Sequence, residues 1–116
     1  MGTILVADDD NTVRALLRSA LLLAGHSVYE ASNGLEAVAI FRSYANNVDL
    51  VVMDMVMPVM DGTQAIARIR ETRPEVPVIC VSGYSDIETP HGAVFLHKPF
   101  LPKVLIGLVV QLLGSG

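Results

Sequence analysis

In the stretch Val48–Pro58, VDLVVMDMVMP, the apolar run Leu50–Met53 is followed directly by a carboxylate, Asp54. A continuous apolar run is typical of a strand buried on both faces, as in a parallel sheet. An aspartate that ends such a strand lies at the sheet edge where α/β proteins bind ligands. It could equally be a simple turn residue, and the rest of the chain separates these two interpretations.

Strand and helix patterns alternate on both sides of this stretch. Besides Leu50–Met53, the predicted strands are Thr3–Ala7, His26–Ala31, Val76–Val81 and Ala93–Leu96. Predicted helices follow the first three strands and the last one, each with apolar residues about 3.6 positions apart. Residues 84–92 stand where another helix is due, but Pro90 and Gly92 leave room for one helical turn at most. The alternation predicts a parallel sheet with helices on both faces.

Composition narrows the class of protein. The 116 residues predict one domain over residues 1–113, with 114–116 as a tail or linker remnant, and the single cysteine, Cys80, lies in an apolar run expected in the core. A net charge of −4 argues against direct nucleic-acid binding. With no signal peptide and no run long enough to span a bilayer, we expect a soluble, cytoplasmic domain without direct membrane contact.

Polar residues stand at the carboxyl ends of four predicted strands: Asp8 and Asp9, Asp54, Ser82, and Lys98. The ends of neighbouring parallel strands share one edge, so these side chains are expected to meet. Three adjacent carboxylates repel one another unless cations intervene. Oxygen ligands without His or Cys favour Mg²⁺ or Mn²⁺.

Magnesium held by carboxylates commonly carries a phosphoryl group, and a carboxylate can accept that group covalently. Asp54 is the candidate acceptor. Lys98 would stabilise charge on the transferring group, while Ser82 and the backbone N–H of Gly83 could donate to its oxygens.

Together, the motifs resemble the receiver domain of two-component response regulators over nearly the whole chain. The matching residues are Ile4–Asp10, Gly25-His26-x-Val28, Asn33-Gly34-x-Glu36-Ala37, Asp49–Pro58 with Asp61-Gly62, Val81-Ser82-Gly83 and Lys98-Pro99-Phe100. The resemblance implies a flavodoxin-like, doubly wound (βα)5 sandwich with strand order 2-1-3-4-5. It also implies that Asp54 accepts a phosphoryl group from the phosphohistidine of a sensor histidine kinase or a histidine phosphotransfer domain.

The resemblance assigns further roles. Asp8, Asp9, Asp54 and the backbone carbonyl of Val56 would hold Mg²⁺, and Ser82, Gly83 and Lys98 would contact the phosphoryl group. Ser82 and Phe95 would form the conformational switch, and the side chains of Val56 and Tyr84 would tune hydrolysis. A cis peptide bond is expected at Lys98-Pro99.

Two departures from the family pattern stand out. The short segment between Ser82 and Lys98 implies a shortened or missing fourth helix, as in receivers of hybrid sensor kinases. The last helix is apolar on nearly all sides. It is either an ordinary packed helix with some exposed leucines or a surface covered by a dimer mate or by another part of a longer chain.

Two alternatives remain open. Asp8-x-Asp10-x-Thr12 fits the nucleophile motif of haloacid-dehalogenase-like phosphatases, but the chain is short for that fold and Asp54 would have no role. The second alternative is a degenerate receiver that serves only as a docking module. We expect a phosphoacceptor that catalyses its own phosphorylation, within a hybrid kinase or alone, rather than an enzyme with a separate substrate.

Overall fold

The computed structural model describes residues 2–114; Met1, Ser115 and Gly116, and so most of the predicted tail, lie outside the described residues. Described elements follow one another as β1 (Thr3–Ala7), α1 (Asn11–Leu23), β2 (Ser27–Ala31), α2 (Gly34–Tyr44), β3 (Leu50–Asp54), α3 (Gly62–Thr72), β4 (Val78–Ser82), β5 (Val94–His97) and α4 (Pro102–Leu113).

All strands described are parallel, and they form one sheet in the order β2-β1-β3-β4-β5. The predicted doubly wound topology is confirmed. Every residue of the central strand β3 is buried. Asp54 therefore ends a strand that is buried along its whole length.

Alternate strand residues pack on opposite faces of the sheet, as the period of two requires. Leu5 and Val51 face α2 and α3, and Ile4 and Leu50 face α1 and α4. Cys80 lies fully buried in the first of these two layers, and burial raises the pKa of its thiol to about 11. The cysteine is a core residue, as predicted.

Local capping explains where the helices begin. The Asp10 side chain accepts from two backbone N–H groups of α1, and Asp61 forms a capping box with Gln64 at α3. Asn33-Gly34, which the sequence suggests is a turn, instead starts α2, because the Asn33 side chain accepts from the N–H of Glu36 at 2.8 Å.

Residues 83–93 form turns and no helix, so the prediction of a shortened or missing fourth helix is confirmed. The single helical turn expected at residues 85–88 is reduced to a turn at Ser85 and Asp86. Phe95 of β5, which faces the layer of α2 and α3, stays half-buried without a helix to cover it.

The last helix, α4, packs one face against the rest of the domain. Leu105 and Val109 are fully buried, and neighbouring apolar residues pack partly against α1 and the sheet. Val104 and Val110 remain 43% and 52% exposed. Coverage of this helix by a partner stays a prediction. Within residues 2–114, no helix is long and apolar enough to cross a membrane.

A charged residue next to the end of a surface helix is predicted to point into solvent, and for Arg73, directly after α3, this prediction is wrong. Its guanidinium donates to the carbonyl of Ala45 at 2.7 Å and also to the carbonyl of Val48. These two carbonyls lie in the connection from α2 to β3. Arg73 therefore pins that connection to the end of α3.

We predict opposite effects of alanine at two helical glycines. A Cβ at Gly62 would lie 2.7 Å from the carbonyl oxygen of Asp54, whereas a Cβ at Gly107 would meet nothing within 4 Å. Gly62→Ala should lower the free energy of unfolding by about 1–3 kcal/mol through overpacking. Gly107→Ala should raise it by about 0.5–1 kcal/mol through helix propensity. Urea unfolding followed by circular dichroism measures both, and equal stabilities of the two variants would contradict the packing argument.

Candidate functional site

The predicted site residues meet at the carboxyl edge of the sheet. Asp8 follows β1, Asp54 ends β3, Ser82 ends β4 and Lys98 follows β5. Because the strands are parallel and in register, with Asp54 opposite Val81, these four ends lie side by side. The edge is the one at which ligands bind in this class of fold.

Three carboxylates form the centre of the site. Oxygen atoms of Asp8, Asp9 and Asp54 all lie within 4.8 Å of one another. Asp8 is only 2% exposed and Asp54 5%, whereas Asp9 is exposed and opens the cluster to solvent. Carboxylates this close repel one another, most strongly where they are shielded from water.

Lys98 partly balances the negative charge of these carboxylates. Its Nζ lies 3.0 Å from Asp8 Oδ2 and 3.5 Å from Asp54 Oδ2. Burial lowers the pKa of Lys98, but hydrogen bonds and charges from Asp8 and Asp54 outweigh this, so its pKa is raised and the ammonium stays protonated. One positive charge thus faces three carboxylates.

The pKa of Asp54 is raised in this cluster of carboxylates. Burial is the main cause and the charge of Asp8 adds to it, so that the pKa of Asp54 is raised to about 7. Lys98 and the Val56 N–H, which donates to Asp54 Oδ1 at 3.3 Å, offset only part of it. The cluster therefore lacks positive charge, and its oxygen-only donors fit a hard divalent cation such as Mg²⁺ or Mn²⁺.

Ser82 lies at the same edge of the sheet, at the end of β4. Its side chain is buried, and its Oγ accepts from the N–H of Tyr84 at 3.0 Å, which leaves the hydroxyl hydrogen free to donate. The Lys98 N–H donates to the Ser82 carbonyl at 2.8 Å and so ties the two strand ends together. Gly83, the next residue, is exposed.

The other predicted residues lie around this centre rather than in it. The side chains of Val56 and Tyr84 are 47% and 60% exposed. Phe95 is half-buried against the core layer that includes α2 and α3, and its ring centroid lies 6.4 Å from that of His97. The Lys98-Pro99 peptide bond is cis.

Arg14 is a site neighbour that sequence reasoning missed. Its Nη1 donates to the backbone carbonyl of Asp8 at 2.7 Å. An arginine one turn into an amphipathic helix commonly faces solvent, so the sequence carries no signal for this contact.

An apolar cavity of about 240 Å³ lies between α1 and the residues that follow β5. Its lining residues are Val13, Leu16, Leu17, Lys98, Pro99, Phe100 and Pro102. Lys98 therefore contributes both to the lining of this cavity and to the carboxylate site.

Comparison with known proteins agrees with this geometry. Residues 4–109 match the response regulator receiver domain family. The sensor kinase CckA of Brucella abortus is 38% identical over 118 residues, covering 97% of this chain and 12% of that protein. The autoinducer 1 sensor kinase/phosphatase LuxN of Vibrio campbellii is 43% identical over 83 residues, covering 72% of this chain and 10% of that protein.

The chain thus spans about a tenth of the length of these two relatives. Among solved structures, the receiver domain from the hybrid histidine kinase CckA superimposes with a TM-score of 0.88 at 34% identity, covering 97% of this chain and 100% of that one. The fold, the carboxylate edge and these similarities lead to one conclusion: this chain belongs to the response regulator receiver domain family.

Proposed function

We propose that this chain is the phosphoacceptor of a two-component phosphorelay and that Asp54 takes a phosphoryl group from a phosphohistidine. The observation that carries the proposal is the placement of Asp54, a nearly buried carboxylate between Asp8 and Lys98 at the end of the central strand. A structural turn aspartate would have no need of that surrounding charge.

In the proposed step, a carboxylate oxygen of Asp54 attacks phosphorus in line with the phosphohistidine N–P bond. An O–P bond forms and the N–P bond breaks, and its electron pair stays on the imidazole nitrogen. The products are an acyl phosphate on Asp54 and a neutral imidazole once a proton has been taken up. The chain promotes its own modification and has no separate substrate.

Asp8, Asp9 and Asp54, with the backbone carbonyl of Val56, would hold the divalent cation, Mg²⁺ or Mn²⁺. When bound, that cation supplies charge neutralisation at the phosphoryl oxygens. Lys98 would move from its contacts with Asp8 and Asp54 towards the phosphoryl group.

Two further groups complete the phosphoryl site in this proposal. The Ser82 hydroxyl and the Gly83 N–H would donate to the remaining phosphoryl oxygens. The Ser82 hydroxyl would have to turn towards the phosphoryl group, and the Phe95 side chain, only half-buried on the neighbouring strand, has space to respond. This pair is the proposed conformational switch.

The phosphodonor is a sensor histidine kinase or a histidine phosphotransfer domain. The apolar cavity between α1 and residues 98–102 adjoins Lys98, so a donor helix resting there would bring its phosphohistidine to Asp54. A homodimer, or a contact with another part of a longer chain, would use the exposed residues Val104 and Val110 of α4.

The wider context is also proposed. Residues 1–113 form the receiver, and 114–116 are a tail or linker, in a cytoplasmic protein of the hybrid-kinase kind.

Among the alternatives, the phosphatase motif is weakened because Asp10 is engaged as the cap of α1, accepting from the backbone N–H groups of Thr12 and Val13. Phosphorylation with a small-molecule donor distinguishes a phosphoacceptor from a degenerate receiver that serves only as a docking module.

Incubation with acetyl phosphate or phosphoramidate and Mg²⁺ should add one phosphoryl group, detected by intact-mass spectrometry. Asp54→Asn should abolish the addition, and Asp86→Asn, which changes an exposed aspartate between β4 and β5, should not. An unmodified wild-type chain would favour the docking module. Modification that survives Asp54→Asn but not Asp8→Asn would instead point to Asp8 as the nucleophile.

In EDTA, Asp54→Asn should stabilise the fold in a pH-dependent way. The folded-state pKa of Asp54, about 7, lies above its unfolded value of 3.8, so the folded state holds the proton more tightly. Stability from this group is present at low pH and is lost as pH rises through the folded pKa. The variant should therefore melt higher than wild type at about pH 8 and lose that advantage towards about pH 4. A difference in melting temperature that is constant with pH would contradict the assigned shift.

The aspartyl phosphate should be long-lived. Val56 and Tyr84 flank the phosphoryl site by family resemblance, and neither the apolar side chain nor the outward-facing phenol orients an attacking water well. Val56→Gln should shorten the lifetime because an amide can position water, while Val110→Gln on α4 should leave it unchanged. Decay can be followed by mass spectrometry after removal of the phosphodonor, and loss within seconds from wild type would refute this expectation.

A further inference from the structure

Arg14 makes three directed contacts beside the carboxylate cluster. Its Nη1 donates to the carbonyl oxygen of Asp8 at 2.7 Å, its Nη2 to Asn11 Oδ1 at 2.6 Å and its Nε to Glu30 Oε1 at 3.2 Å. The side chain is only 16% exposed. Each edge of the guanidinium is thus occupied, and its position is well defined.

The Asp8 carbonyl belongs to the peptide group that joins Asp8 to Asp9. The N–H of Asp8 donates to the carbonyl of Ala31 at the end of β2, at 3.1 Å. The backbone of Asp8 is therefore held by β2 on one side and by Arg14 on the other. The placement of this peptide group fixes the Cα of Asp9, and with it the point from which the exposed Asp9 side chain reaches the cation site.

We propose that Arg14 is a positioning residue for the cation site, acting through the Asp8–Asp9 peptide group. Glu30 of β2 holds Arg14 in place and also pairs with Arg18 at 3.0 Å. The inference rests on the proposed function, because it assumes that Asp8 and Asp9 bind a divalent cation. It adds a residue that touches neither the cation nor the phosphoryl group.

The contact pattern requires the shape of arginine and not only its charge. A guanidinium presents donors along a rigid plane and reaches three acceptors at once, whereas an ammonium is a compact point charge on a flexible stem. Lysine at position 14 would keep the charge near the cation site and lose the fixed geometry. Arg18 gives a matched control because it shares Glu30 but does not contact Asp8.

The test compares Mg²⁺ dissociation constants by titration calorimetry for wild type, Arg14→Lys and Arg18→Lys, with melting temperatures in EDTA recorded in parallel. Arg14→Lys should weaken Mg²⁺ binding about 10-fold or more, the usual range for residues that orient metal ligands. Arg18→Lys should bind Mg²⁺ as wild type does. Asp9→Ala should remove binding and with it the rise in melting temperature that Mg²⁺ causes.

A purely structural role gives a different result. Arg14→Lys would then melt lower in EDTA but bind Mg²⁺ with unchanged affinity, and the inference would be overturned. If Arg14→Lys fails to fold, Glu30→Gln serves as the second test variant. It should lose less Mg²⁺ affinity than Arg14→Lys is expected to lose. An unchanged Mg²⁺ affinity of Glu30→Gln would overturn the inference. Failure of wild type itself to bind Mg²⁺ would refute the proposed cation site and this inference with it.

Discussion

The main electrostatic constraint on the site is that oxygen atoms of three carboxylates lie within 4.8 Å of one another at the edge of the sheet. Two of them are nearly buried, so water screens their repulsion poorly. Lys98 balances one charge, but burial and the charge of Asp8 still keep the pKa of Asp54 raised. A divalent cation would remove the imbalance and would allow an anionic phosphoryl group to approach Asp54.

The backbone framework around the cluster is tight. The N–H of Gly34, at the start of α2, donates to the Met60 carbonyl at 3.1 Å, and a Cβ at Gly34 would lie 2.3 Å from that same oxygen. Gly62 approaches the carbonyl of Asp54 in a similar way. Two helix starts therefore close on the segment that follows β3 with no space for a side chain, which holds the acceptor in place through main-chain packing.

The segment between β4 and β5 departs from the regular alternation. It joins Ser82 to β5 without a helix and leaves Phe95 half-buried. The residues proposed as the switch thus lie on either side of irregular backbone, which has fewer packed contacts to hold it in one arrangement. The composition of this segment was sufficient to predict the missing helix, because Pro90 and Gly92 interrupt any helical period.

The strand order was implied by the family resemblance, whereas sequence patterns alone were sufficient for a parallel sheet, for most helix starts and for the meeting of Asp8, Asp54, Ser82 and Lys98. Each of these follows from local rules, such as buried apolar runs, side-chain caps and the shared edge of parallel strands. The contacts of Arg14 with Asp8 and of Arg73 with Ala45, and the close packing of α4, were decided by tertiary structure. A long side chain finds its acceptor only when separate elements are packed at a fixed distance, and no periodicity in the chain encodes that distance.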